Sequence, residues 1–474
     1  MKSFIKILLI SVLAASFQPA FGQSEKEQVA GSWLGTLDLG STGLRLVFNL
    51  SLTEEDSFEA TLDSPDSGNM GIPMGQVSLV GDSLEIEAPL IQGSYVGKFT
   101  SSTSIQGEWS QPGGTFVLNM EKLAGAFVLN RPQEPKPPFP YKVEELSFNQ
   151  IAQGFTLTGT LTIPDGQGPF KGVVMVTGSG SQNRNEEIFG HKPFWVIADR
   201  LTRSGIAVLR YDDRGVGASG GMAPGSTTAD LALDARSAVE YLLTRSEIDK
   251  SGLGIIGHSE GGMIAFMLAS EYDDISFVVS LAGPGVDGKT TLLEQSEYIS
   301  RLSGMNESIV EDNRIVMDKV YDLMITNDTH NSWGEEVIEF TSSYYLNKGE
   351  GLYSEADIEQ AKNNLLASIP ESSYAWMRYF VMYDPASDFA SIKCPVLALN
   401  GGKDCQVLAE MNINAIKKGF QASGSSQLTA MILPGLNHLF QNCKTGLPGE
   451  YNLIEETFDP DALELMTNWI LQLK

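Results

Sequence analysis

The sequence predicts two folded parts in series, a small all-β antiparallel barrel or sandwich followed by an α/β domain. The α/β domain is built on a mostly parallel sheet flanked by helices, with a helical insertion. Three observations carry this. Short runs of period-two alternation fill residues 23–130, a proline-rich stretch follows at 131–141, and residues 142–474 alternate apolar β-rich runs with helical stretches.

Residues 1–22 stand apart from both. Lys2 and Lys6 precede the apolar run Ile7 to Ala15, and Ala20-Phe21-Gly22 places small residues at −3 and −1 of a cut before Gln23. This is the pattern of a cleaved secretory signal peptide, so the expectation is an exported protein, periplasmic or extracellular. The apolar run is too short to span a bilayer comfortably, and no later segment reaches the ~20 apolar residues a membrane helix needs.

In the first part, Leu44-Arg45-Leu46-Val47-Phe48-Asn49-Leu50 and Ser83-Leu84-Glu85-Ile86-Glu87 alternate apolar with polar residues. Gly, Asp, Ser and Asn punctuate such runs about every ten positions, as antiparallel strands require. Arg131 to Pro140 then holds five prolines, which favour polyproline II and exclude helix, so it reads as a stiff linker.

Beyond the linker, apolar runs at Gly172–Val176, Ile206–Arg210, Leu253–Ile256, Phe277–Leu281, Val396–Leu399 and Met431–Leu433 read as buried parallel strands. Phe155 to Leu161 alternates and reads as an antiparallel edge strand. About a hundred residues, roughly 284–383, separate two of the sheet strands. That is too long for a loop and predicts a helical cap. Its aromatics Tyr344, Tyr345, Tyr374, Trp376, Tyr379 and Phe380 are candidates to line a pocket or to pack the cap. Asp459-Pro460 starts a final helix whose Leu463, Met466, Ile470 and Leu473 share one face.

The 474 residues carry 32 Lys+Arg against 59 Asp+Glu, a formal charge of −27. With no basic cluster, this excludes a nucleic-acid partner. Three Cys support neither a disulfide framework nor a zinc site, and no metal or organic cofactor is expected.

Chemistry concentrates at Gly257-His258-Ser259-Glu260-Gly261, placed between a buried strand and a helix. Small residues two before and two after a Ser let the backbone cross closely, and the hydroxyl then projects above the sheet's carboxyl edge. Ser259 is the predicted nucleophile. Its hydroxyl needs a base, and four His are available. His258 adjoins the Ser and reads as packing, His191 as a cap or loop residue, and His330 as part of an exposed loop. His438 follows the last strand and is the predicted base, with Asp404, at the end of the preceding strand, as its orienting carboxylate. Asp384, Asp388 and Asp461 compete but sit where helix or turn capping explains them. Two backbone N–H groups, of Glu260 and of Ser179 in Thr177-Gly178-Ser179-Gly180, are expected to hold the oxyanion.

These residues, with Asp212-Asp213-Arg214-Gly215-Val216-Gly217-Ala218-Ser219, Asn400-Gly401-Gly402-Lys403-Asp404 and Leu436-Asn437-His438, resemble the α/β-hydrolase superfamily. The likeness is closest to its bacterial serine aminopeptidase-like and dienelactone-hydrolase-like esterases with an N-terminal β domain. The resemblance implies acyl transfer through Ser259, Asp404 and His438. It departs at Thr177-Gly178, where many relatives have His-Gly. Cys405 and Cys443 flank the Asp and the His, and in an oxidising compartment a disulfide between them would brace the two loops. A small carboxylic ester is the first expectation for substrate and a short peptide the second. A non-catalytic ligand-binding protein is a remote third.

Overall fold

The computed structural model describes residues 23–38, 43–67, 69–349 and 353–473. The expected signal peptide, residues 1–22, lies outside the described residues. The chain forms two compact units, Met1–Leu129 and Asn130–Lys474.

The first unit is one antiparallel sheet. Its order is Asn69–Pro73, Phe58–Ser64, Gly43–Leu52, Gly31–Asp38, Met120–Lys122, Ser104–Gln111, Gly93–Ser101, Ser83–Ala88, Val77–Val80, with Gly114–Val117 branching from Ser104–Gln111. The alternation is literal: Leu84, Ile86 and Ala88 are buried, whereas Glu85 and Glu87 are exposed. Leu62 and Ile86 lie far apart in the strand order yet join one core with Trp33, Phe48, Tyr95 and Trp109. The sheet therefore curls on itself as an open barrel around these aromatics.

The second unit carries an eight-stranded sheet in the order Tyr141–Asn149, Thr156–Pro164, Ile206–Tyr211, Phe170–Val176, Ile248–His258, Phe277–Leu281, Val396–Gly401, Leu428–Leu433. The first two pairings in this order are antiparallel and the other five are parallel. Thr156–Pro164 is thus not the edge strand. Tyr141–Asn149 covers it, and its side chains are mostly buried as a second strand's must be.

Every residue of Ile206–Tyr211 is buried, because successive side chains enter two different cores. Val174 and Leu209 face a core closed by helices Thr228–Thr244, Glu260–Glu271 and Ala409–Ala422. Val173, Met175 and Val208 face one closed by Pro193–Arg203 and Pro460–Gln472. In the last helix Asp459 caps through Ala462 N–H, while Leu463, Met466 and Ile470 are buried.

Between strands Phe277–Leu281 and Val396–Gly401 stand helices Gly288–Leu302, Glu307–Thr326, His330–Asn347, Glu355–Ser368 and Glu371–Met382. They pack around a core of their own that includes Leu293, Val320, Trp333 and Tyr374. His330, expected in an exposed loop, begins one of these helices. There it packs on Trp333 and Tyr374, with Nε2 3.0 Å from the Ile369 carbonyl oxygen.

The proline-rich stretch is fastened down within the second unit. Arg131 donates to the carbonyls of Phe189, Gly190, Asn452 and Ile454, and Gln133 exchanges hydrogen bonds with Thr457 and Phe458.

The acidic pair Asp212-Asp213 explains how the loop after Phe170–Val176 is shaped. Asp213 accepts from the Thr177 hydroxyl (2.9 Å) and the Gln182 N–H (2.8 Å). Asp212 accepts from the Arg184 N–H and guanidinium, at 2.8 and 2.7 Å, and Arg184 reaches on to Glu145 and Thr160. The next residue, Arg214, is bidentate to Asp234 of helix Thr228–Thr244, both side chains being 2% exposed.

Breaking a buried pair on one side leaves an uncompensated charge, so Arg214→Met is expected to cost the second unit about 3–5 kcal/mol, read by urea unfolding. Adding Asp234→Leu should recover most of that loss. A second expectation concerns Asp213, whose carboxyl burial pushes up to about 7, against the pull of the Gln182 and Thr177 hydrogen bonds. A folded pKa above the unfolded value gives stability that is full below about pH 4 and declines as pH rises through about 7. Melting temperature measured across that window should therefore fall more steeply for the wild type than for Asp213→Asn.

Candidate active site

Ser259 is the single residue between strand Ile248–His258 and helix Glu260–Glu271, at φ 53° and ψ −121°. A residue with a side chain held there carries strain on the order of 1–3 kcal/mol, and the surroundings must impose it. They do so through the Ser259 N–H, which donates to the Leu281 carbonyl at 2.8 Å, and through absent side chains. A Cβ on Gly257 would stand 1.9 Å from the Gly261 carbonyl oxygen, and one on Gly261 would stand 2.1 Å from that of Val176. The two glycines are thus required by close approach. The Glu260 N–H opens the helix, where no intrahelical acceptor exists for it.

His438 sits in the loop after strand Leu428–Leu433. Its Nδ1 lies 2.7 Å from Asp404 Oδ2, and both side chains are buried. Asp404 follows strand Val396–Gly401 and is itself fully engaged. Its Oδ1 accepts from the N–H groups of Gln406 and Val407, and Oδ2 also accepts from Asn400. A carboxylate saturated in this way holds the Nδ1–H tautomer and leaves Nε2 as the ring's acceptor. Ser259 and His438 line one cavity of about 210 Å³, together with Gly178, Ser179, His258, Trp376 and Gln406.

In the loop after Phe170–Val176, the Gly178 N–H donates to Glu186 Oε1 at 2.7 Å. The Ser179 N–H, beside it, has no acceptor among the described residues. Local hydrogen bonding thus leaves both amides expected at the oxyanion unspent.

The disulfide is not formed. Cys405 and Cys443 are free thiols, each donating to a carbonyl, Cys405 to Gly446 and Cys443 to Gly435. Burial pushes the Cys443 thiol up to about 11 and that of Cys405 up to about 12. The bracing expected of a disulfide comes instead from Lys403. Its N–H donates to the Leu436 carbonyl, and its ammonium reaches the Cys443 and Lys444 carbonyls at 2.9 and 2.8 Å.

The rival candidates have other work. His191 is wholly buried between Thr457 and the Tyr451 carbonyl. Asp384 accepts from the Ala386 N–H, and Asp388 pairs with Tyr383 and Ser270. Of the cap aromatics, Trp376 and Phe380 line the cavity, while Tyr344, Tyr345 and Tyr374 pack within the cap.

Sequence reasoning missed three contributions. His258 is a hydrogen-bonded bridge rather than mere packing. The Glu260 carboxyl, besides its backbone, accepts from the Thr228 hydroxyl (2.6 Å) and the Trp376 indole (2.8 Å), tying helix Glu371–Met382 to the residue after Ser259. Burial raises that carboxyl's pKa, opposed by Thr228, Trp376 and Ser179. Glu186 was not singled out at all. Its His258 partner lies 72 residues away in the chain, and only its place in the Gly178 loop hinted at a role.

Residues 194–442 match the family described as serine aminopeptidase, S33. The chain is 28% identical over 317 residues to esterase EstD of Thermotoga maritima, covering 67% of this chain and 66% of that protein, just under two thirds of its length. It is 24% identical over 253 residues to human acyl-coenzyme A thioesterase 1, covering 53% of this chain and 49% of the thioesterase. Among solved structures, an esterase of Pyrococcus furiosus superposes with a TM-score of 0.42 at 16% identity, over 74% of this chain and 99% of that one. The family match spans more than half of the sequence, and the chain belongs to the serine aminopeptidase S33 family of α/β hydrolases.

Proposed function

We propose that the protein is an exported serine esterase that cleaves small carboxylic esters through an acyl-enzyme on Ser259. The observation that carries this reading is the 2.7 Å bond from His438 Nδ1 to the saturated Asp404, which turns Nε2 into the base of the cavity it shares with Ser259. The Ser259 hydroxyl attacks the ester carbonyl carbon and its proton passes to His438 Nε2. The Glu260 and Ser179 N–H groups hold the oxyanion. Collapse breaks the carbonyl–alkoxide bond, and His438 returns the proton to the departing alcohol. Water, deprotonated by His438, then attacks the acyl carbon, and the acid leaves as Ser259 regains its proton. Relatives named as an esterase and as a thioesterase support acyl transfer from an oxygen or sulfur leaving group.

The second reading, a peptidase acting on N-terminal residues of short peptides, is favoured by the family's description. Such a substrate needs a carboxylate for its ammonium group. Among the described residues lining the cavity the carboxylate is Glu186, whose Oε1 is taken by Gly178 and His258. Gln182, Gln295, Gln406 and Thr291 instead give the cavity neutral polar walls, suited to an uncharged ester. Export rests on the pattern of residues 1–22, and a mature protein whose first residue is Gln23 would support it.

The wild type should hydrolyse 4-nitrophenyl acetate and leave aminoacyl anilides nearly untouched. Ser259→Ala should lower kcat/KM for the ester by on the order of 10³-fold or more. A preference for the anilides would move the assignment to the peptidase. Trp376 lines both this cavity and a neighbouring one of about 390 Å³ bounded also by Ser179, Pro224 and Leu231. Trp376→Ala should therefore merge them and shift the preferred acyl chain from acetyl toward longer esters, read as the ratio of kcat/KM for octanoate over acetate.

A further inference from the structure

We propose that His258 and Glu186 form a buried imidazolium–carboxylate pair that positions both sides of the catalytic cavity, the loop of Gly178 and Ser179 and the loop of His438. The proposal deepens the serine-hydrolase reading and rests on it for its catalytic consequence, though not for the charge on the ring.

Donors and acceptors fix the charge of the pair. His258 Nε2 lies 2.9 Å from the backbone carbonyl oxygen of His438. A carbonyl has no proton to offer, so Nε2 carries one. Nδ1 lies 2.9 Å from Glu186 Oε1, which already accepts the Gly178 N–H. With Glu186 ionised, Nδ1 must donate too, and a histidine that donates from both nitrogens is charged. The pair is nearly sealed from solvent, His258 at 7% and Glu186 at 2% exposure, so neither charge is tolerable without the other. Burial opposes the proton on His258, but the Glu186 charge and hydrogen bond, with the His438 carbonyl and the more distant Asp404, outweigh it and hold the pKa above the ordinary value.

The pair's location gives it its role. Glu186 sits in the left-handed region at φ 51°, a conformation that local structure must enforce, and its N–H donates to the Asn183 carbonyl. From there one carboxylate oxygen fixes the Gly178 N–H, which leaves the adjacent Ser179 N–H for the oxyanion. The His258 ring, 4.7 Å from that of His438, fixes the backbone of His438 while Asp404 fixes its Nδ1. The catalytic imidazole is thus held at two points. A base that must reach a hydroxyl within a few tenths of an ångström depends on such support. His258 and Glu186 are positioning residues, since neither is required to touch the reacting atoms.

The test reads the ring protons directly. In the ¹⁵N-histidine spectrum of the wild type at neutral pH, the His258 ring, assigned by the signal lost in single His→Gln variants, is expected to show two protonated nitrogens. One protonated and one bare nitrogen on that ring would overturn the ion pair. No substrate is involved, so this result is independent of whether Ser259 is the nucleophile. In Glu186→Gln, which keeps an acceptor oxygen but removes the charge, one of the two ring protons should disappear. Ester turnover should fall on the order of 10- to 100-fold in kcat with KM changed less than about twofold. Glu186→Asp, which restores the charge, should recover part of it. A Glu186→Gln enzyme that loses thermal stability but keeps its kcat would overturn the positioning role.

Discussion

The structure hangs on one close crossing of backbone. Where strand Ile248–His258 turns into helix Glu260–Glu271, the chain passes so near itself that a β-carbon at Gly257 would lie 1.9 Å from the Gly261 carbonyl oxygen. That crossing forces Ser259 to positive φ, lifts its side chain above the sheet, and sets the helix start beneath it. Every other part of the site is brought to this point. The parallel strands deliver their following loops to one edge, so the Gly178 loop, Asp404 and His438 arrive from positions spread over some 260 residues of sequence.

Arrival is not alignment, and the alignment is ionic and hydrogen-bonded rather than covalent. Asp213 and Asp212 shape the Gly178 loop, Lys403 ties the loop of Asp404 to that of His438, and Glu186 with His258 joins the Gly178 loop to the His438 loop. The free cysteines beside Asp404 and His438 show that the same end is reached without a crosslink. The cap contributes through Trp376, whose indole rests on the Glu260 carboxyl, so the wall of the cavity is registered against the residue that follows Ser259. The net charge of −27 takes no part in this, since the carboxylates at the site are engaged by specific donors.

Much of this was legible in the sequence, for physical reasons. Gly257 and Gly261 mark a close approach that only glycine satisfies, and a Gly-x-Ser-x-Gly run can hardly mean anything else between an apolar strand and a helix. Asp404 and His438 were legible because each follows a β-rich run, and parallel strands share an edge. Less could be read where the deciding contact joins distant segments. His258 looked like packing because Glu186, 72 residues earlier, and the His438 carbonyl, 180 residues later, are invisible to local pattern. Thr156–Pro164 was misread as an edge because Tyr141–Asn149 has weak alternation and follows prolines. The proximity of Cys405 and Cys443 to Asp404 and His438 was visible, but the carbonyls that take their thiol protons were not.

The proposed acyl transfer stands or falls on Ser259 being the activated nucleophile of this arrangement. The most direct measurement is peptide mapping by mass spectrometry after exposure of the intact protein to a fluorophosphonate. A single adduct is expected, on the peptide containing Ser259, abolished when His438 is replaced by Ala. An adduct on another residue, or none at all in the folded wild type, would contradict it.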